Sequence, residues 1–309
     1  MSDVRPLSEL VAAELAEPVD PRVAAMAAAL AGRYPGAAWA VLFYGSCLRT
    51  AALEGQMLDF YLIVSDYRAA YGRSWLARAN RLVPPNVFPF EHAGLAAKYA
   101  VLSEADFERE CGPRARSVSV WARFAQPSRL AWAADEDARR RVTAAVAEAA
   151  PTLFQLTLPM MDLRAPVAPL DIWKKGFSLT YGAELRAERT DRSAAIVDAD
   201  PERYERFGLA ALGAIAASRA VGPGGEVPLI ASPDRMRRRW RGMQRKGKAL
   251  SVVRLAKASA TFAGGVDYIA WKINRHAGTQ IVLKPWQRRW PLLAAVTLLP
   301  RLLKRGAIR

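Results

Sequence analysis

The chain has 309 residues, 52% of them hydrophobic, and a formal net charge of +16. That length supports two modest domains with real cores. Two cysteines and two histidines are too few for a disulfide framework, and they lack zinc-site spacing. The charge is segregated: residues 235–309 hold 19 Lys/Arg against one acid, Asp267. The preceding residues are close to neutral.

The N-terminal twenty residues carry Asp3, Glu9, Glu14, Glu17 and Asp20, an acid content foreign to secretory signals and transit peptides. With the sparse cysteines this reads as a cytoplasmic, reducing location, and the Ala/Arg-rich composition as bacterial. Val23 to Tyr34 spaces its apolar residues as a helix that packs on a sheet. Ala37 to Tyr44 is an apolar run of strand length, halted by Gly45-Ser46, where a small residue lets backbone approach a ligand. Backbone N–H groups at such a turn can cradle phosphate oxygens.

Leu58 to Val64 is a second buried strand, and it carries one carboxylate, Asp59. An acid inside an apolar strand is costly unless it is paired or binds a metal. Arg73 to Leu82 reads as a helix and Lys98 to Leu102 as a third strand, with the lysine at its start. Lys98 either reaches phosphates there or is a surface lysine. Arg123 lies in an apolar setting in WARFAQPSRL, where Pro127 ends the element.

Asp135 to Ala150 starts an alanine-rich helix and marks a domain boundary. Thr152 to Ser218 alternates apolar helices with a strand-like LTYGAELRAE, as a winged-helix-like module would. Glu184 and Arg186, two apart, share one strand face, so they either pair or project into a cleft. Ala220 to Pro233, rich in Gly and Pro, is a linker. The basic remainder mixes Trp240, Met243, Trp286 and Trp290 with arginines, as a segment lying in an anionic headgroup layer would. Its Leu292–Leu299 run is eight residues long, short of the roughly 20 needed to span a bilayer. A solvated tail and a nucleic-acid arm are the other readings of such charge. The expected architecture is thus α/β (α+β): a mixed-sheet domain (1–132), a mainly helical, winged-helix-like domain (133–234) and a basic tail (235–309).

The order strand, Gly-Ser, spacer, strand with Asp resembles the nucleotidyltransferase superfamily. The resemblance continues through YGS (44–46), MLDF with V-x-D (57–60, 64–66), KYAVLS (98–103), W-x-R-F-x-Q-P (121–127), SLTYGAELR (178–186) and FAGGVDYIAWKINR (262–275). These strings are similar to those of the mitochondrial-type phosphatidate cytidylyltransferases, peripheral enzymes that make CDP-diacylglycerol from CTP and phosphatidic acid. Two departures stand out. Tyr61 occupies the place of the second acid of the superfamily D-x-D pair, and NRLVPPN replaces a His-Tyr-Ser string.

The resemblance implies Mg²⁺ on Asp59 and leaves the second ligand unassigned; Asp66, at the strand end, is the candidate taken for it ahead of Glu91. It implies phosphates held by Gly45, Ser46, Lys98 and Arg123, with Asp59, Ser46 and Lys98 as the catalytic set. The expected partners are CTP, phosphatidic acid and an anionic membrane surface on the inner face of the cell membrane, with no nucleic acid. His92 is a nearby loop residue without an assigned role. Two alternatives stay open: nucleotidyl transfer to another phosphorylated acceptor or from another nucleotide, and a non-catalytic membrane-binding homologue.

Overall fold

The computed structural model describes residues 5–50, 52–162, 166–183, 192–220 and 232–261. Two helices, α1 (Leu7–Ala16) and α2 (Pro21–Gly32), lead into strand β1 (Ala38–Tyr44). A short helix α3 (Ser46–Thr50) precedes β2 (Met57–Val64), followed by α4 (Tyr67–Tyr71), α5 (Trp75–Leu82), β3 (Asn86–His92) and β4 (Leu95–Ser103). Next come α6 (Glu104–Cys111), α7 (Trp121–Phe124) and β5 (Ser128–Ala133). The remainder is helical: α8 (Glu136–Ala147), α9 (Ala149–Thr157), α10 (Pro169–Tyr181), α11 (Arg192–Asp198), α12 (Pro201–Ala220) and α13 (Pro233–Thr261).

The five strands form one mixed sheet in the order β3-β4-β2-β1-β5. Strand β2 lies at its centre, antiparallel to β1 and parallel to β4. The nearly continuous apolar runs of β1 and β2 follow from burial on both faces. Val41, Phe43, Phe60, Leu62 and Val101 pack with Val23, Met26 and Leu30 of α2. Leu42, Tyr61, Ile63, Ala100 and Leu102 face the other way, into a larger cluster built with α1 and the helices from α6 onward.

That larger cluster runs without a break from the sheet into α8–α12. Trp173 shows how it is built. Its Nε1 donates to the Tyr204 carbonyl at 2.8 Å, and its ring meets Phe154 edge-on at 4.8 Å. Arg203 of α12 is buried and forked onto Glu14 of α1, at 2.5 and 2.9 Å, while also donating to the Ala125 carbonyl at 3.3 Å. A buried guanidinium needs such a carboxylate, so this pair ties the last helices to the first. The cluster thus crosses the boundary expected near residue 132.

One expectation is corrected. Leu179, Thr180 and Tyr181 of the strand-like LTYGAELRAE close helix α10. Among the described residues beyond Ala133 there is no strand. Glu184 and Arg186 lie outside the described residues.

The basic segment from Arg235 begins as the long helix α13, and that helix is bound to the body. Met236, Trp240 and Met243 recur at i, i+4 and i+7 and are buried in the main cluster, the spacing of a core-facing stripe. Trp240 Nε1 donates to the Leu156 carbonyl at 2.9 Å and its ring meets Trp121. Trp240 and Met243 thus pack inward instead of facing a headgroup layer. Trp286, Trp290 and the Leu292–Leu299 run lie outside the described residues. Among the described residues, no helix is long and apolar enough to cross a membrane.

Candidate nucleotide site

Strand register builds the centre of the site. Asp59 stands opposite Tyr44 of β1 and opposite Lys98 of β4. The three residues thus form one row across adjacent strands, on the face that carries Leu42, Tyr61 and Ala100. Lys98 Nζ lies 2.7 Å from Asp59 Oδ1, with the two side chains 26% and 18% exposed. The carboxylate that looked costly in its strand is offset by this cation.

Gly45 follows directly, with φ at 99°, a backbone state that a side chain strains. A Cβ there would stand 3.0 Å from Asp59 Oδ2. The bare backbone at this turn is what admits the carboxylate. Ser46 opens α3 with its side chain exposed. Behind it Cys47 is buried. Burial and then the charge of Asp59 push its thiol pKa up, while the Ser46 hydroxyl and Lys98 work the other way.

The Tyr44 hydroxyl links this row to Arg123. Burial, first, and then the charges of Asp59 and Tyr61 hold its pKa well above the usual phenol range, while Arg123 opposes the shift. Arg123 itself donates to the Ser119 carbonyl one turn earlier. The ring of Tyr44 packs against Tyr61 and Phe124, with centroids 5.4 and 5.9 Å away. Gly45, Ser46, Asp59 and Lys98 therefore come together as expected, with Arg123 joined through Tyr44.

Asp66 does not join them. It caps α4, its Oδ1 accepting from the backbone N–H groups of Arg68 at 2.6 Å and Ala69 at 3.0 Å. Strand β2 continues for five residues past Asp59 to Val64, about 17 Å, and Asp66 lies beyond that end, so the two carboxylates cannot share an ion. Glu91 sits elsewhere. It pairs with Ala96, two positions from Lys98 along β4, which brings it diagonally beside the row, and it is exposed. His92 is a strand residue whose ring stacks on Phe90.

Among the described residues, no three His, Cys, Asp or Glu side chains gather as a ligand set. The residues fit Mg²⁺ in one way. Asp59 presents a single carboxylate whose Oδ2 faces the Gly45 turn, where a Cβ would fill the space, and Mg²⁺ at phosphate sites takes one or two carboxylates plus substrate oxygens.

Sequence reasoning gave no role to Tyr44 or to two cations of α13, Arg254 and Lys257. Tyr44 lay inside a quoted string, and its polar handle beside an acid was the available signal. Arg254 and Lys257 were counted with a tail, and only packing places them on the body. No protein-family model matches the chain, and no curated protein matches it.

Proposed function

We propose that this chain is a nucleotidyltransferase that moves CMP from CTP to phosphatidic acid, releasing pyrophosphate and CDP-diacylglycerol at a membrane surface. One observation carries the transfer chemistry: the Asp59–Lys98 pair lies in strand register beside the positive-φ Gly45 turn. Carboxylate, fixed cation and open backbone converge at one end of one sheet face. The six strings quoted above support the choice of nucleotide and lipid.

A phosphate monoester has its second pKa near about 6, so at neutral pH the acceptor is already an anionic nucleophile. Its oxygen bonds to the α-phosphorus of CTP as the bond to the pyrophosphate oxygen breaks. No general base is needed, which suits a row without a histidine. Catalysis then rests on position and on charge neutralisation. Lys98 supplies a cation fixed by Asp59, the Gly45–Ser46 backbone offers N–H donors to phosphate oxygens, and Arg123 adds charge behind Tyr44. Mg²⁺, when bound, would be held by Asp59 and would neutralise the triphosphate.

The test is pyrophosphate release from each of the four ribonucleoside triphosphates with Mg²⁺ and vesicles containing phosphatidic acid. Release with CTP that requires phosphatidic acid is expected. Release that requires a different acceptor would move the proposal to another nucleotidyl transfer.

A further inference from the structure

Helix α5 is built inside out. Ala77 and Asn80 are its buried residues, whereas Trp75 and Leu82, seven apart and so on one face, are 51% and 80% exposed. A surface helix ordinarily turns such side chains toward the core. Polar bonds hold this segment in the reverse orientation: Asn80 Nδ2 donates to the Val101 carbonyl at 2.9 Å, and Asn86 Nδ2 to the Leu76 carbonyl at 3.2 Å.

The charge around the two apolar groups has one sign. From Tyr67 through Phe90 the sequence has four arginines, Arg68, Arg73, Arg78 and Arg81, and no Asp or Glu. All four are exposed. The acid just before them, Asp66, is turned onto the backbone of α4. Helix α13 abuts the same segment. Arg254 Nε donates to the Pro84 carbonyl and its Nη1 to the Ser119 hydroxyl, both at 2.8 Å, and Lys257 Nζ donates to the Val83 carbonyl. These bonds seat α13 against the end of α5, where Val253, next to Arg254, is exposed as well.

Large apolar side chains left in water among cations mark an interaction surface. An anionic bilayer answers both features, since its headgroups attract arginines and its interface takes up tryptophan and leucine. Nucleic acid would answer the arginines and leave Leu82 in water. A second copy of the chain would set arginines against arginines across a two-fold contact.

We propose that the outward face of α5 docks the protein on an anionic lipid bilayer, with Trp75 and Leu82 as the inserted anchors and Arg68, Arg73, Arg78 and Arg81 on the headgroups. Ala77 belongs to the cluster of Val41, Phe60 and Leu62, on the sheet face opposite the Asp59–Lys98 row, so this surface is separate from the candidate nucleotide site. Docking through α5 does not depend on the function proposed above. It gives the membrane-facing role to side chains other than Trp240 and Met243, which pack inward.

The test uses the full chain without nucleotide or metal, and vesicles of phosphatidylcholine with or without phosphatidylglycerol. In co-sedimentation the parent should bind the anionic vesicles and leave the neutral ones. Trp75→Ser combined with Leu82→Ser should weaken that binding at least tenfold, while Leu209→Ser, at an exposed apolar residue of α12, should match the parent. Insertion is read separately. Cys47 and Cys111 are both buried, so an environment-sensitive dye can be placed on Leu82→Cys or Leu209→Cys. The dye at 82 should shift to the blue on anionic vesicles, and the dye at 209 should not.

A parent that binds no vesicle, a double variant that binds like the parent, or an unshifted dye at 82 would overturn docking through α5. An equal loss in Leu209→Ser would overturn it as general apolar adhesion. Duplex DNA bound more tightly than anionic vesicles, and lost in Arg78→Gln with Arg81→Gln, would overturn it in favour of a nucleic-acid face. Turnover is not read, so a chain that docks through α5 yet releases no pyrophosphate would refute the function and leave the docking face standing.

Discussion

Gly45 is where a backbone turn and a carboxylate occupy neighbouring space. Its φ of 99° strains any side chain, and the missing Cβ leaves Asp59 Oδ2 its position. Gly45→Ala should therefore cost about 1–2 kcal/mol in a denaturant titration and lower turnover by more than tenfold, because the carboxylate must shift. A variant with parental turnover would show that the turn is only structural. Lys257 gives a second residue-scale prediction, on pH. Its folded pKa is about 7, against an ordinary 10.5. Below pH 7 both folded and unfolded chains hold the proton; between about 7 and 10.5 the unfolded chain holds more. Lys257 therefore opposes folding at and below neutrality, and this burden is relieved as pH rises through that window. Thermal melting across pH 7–10 should show Lys257→Met more stable than the parent at pH 7, with the difference shrinking by pH 10. A constant difference would contradict the shift.

At the scale of elements, Trp240 anchors α13 through its ring contact with Trp121 and its bond to the Leu156 carbonyl. Trp240→Ala should destabilise the protein by about 3–5 kcal/mol, read as a lowered denaturation midpoint; a change under about 1 kcal/mol would mean that α13 adds little to the core. The same residue shows what the sequence does and does not disclose. The strands around Tyr44 and Asp59 were legible because uninterrupted apolar runs of that length leave few options. Composition alone cannot tell an inward tryptophan from one bound for a headgroup layer. The i, i+4, i+7 spacing of Met236, Trp240 and Met243 carried that answer, and the surrounding arginines drew the reading away from it. Asp66 is a similar case. Its spacing from Asp59 along the chain is visible, but the strand carries the chain about 17 Å from Asp59 to Val64, and the position of Asp66 before a helix marks a cap. Leu179 to Tyr181 looked strand-like as a short apolar piece, and it is helical because α10 has already started at Pro169.

For the whole molecule, one buried cluster extends from the sheet to α13, across both boundaries of the three-part chain expected from composition. The sheet half of the candidate site could be read from Gly45, Asp59 and Lys98, since each belongs to a strand or its end. The packing of α13 on the body could not, because Arg254 lies 135 residues from Ser119 and Lys257 lies 174 residues from Val83, and one sequence carries no record of those contacts. Deleting residues from Arg235 onward should therefore uncover the apolar surface beneath Met236 and Trp240. The truncated protein should lose its cooperative melting transition, rather than only its affinity for vesicles. A truncation that melts like the parent would show that the sheet and α8–α12 hold together unaided.

If the Asp59–Lys98 row performs the proposed nucleotidyl transfer, then pyrophosphate release from CTP with Mg²⁺ and phosphatidic acid distinguishes the parent from Asp59→Asn. The substitution keeps the side chain's size while removing the charge that fixes Lys98. Turnover in the parent that falls at least a thousandfold in a folded Asp59→Asn is the predicted result. Parental turnover in Asp59→Asn, or no release by the parent with any nucleotide, would contradict it.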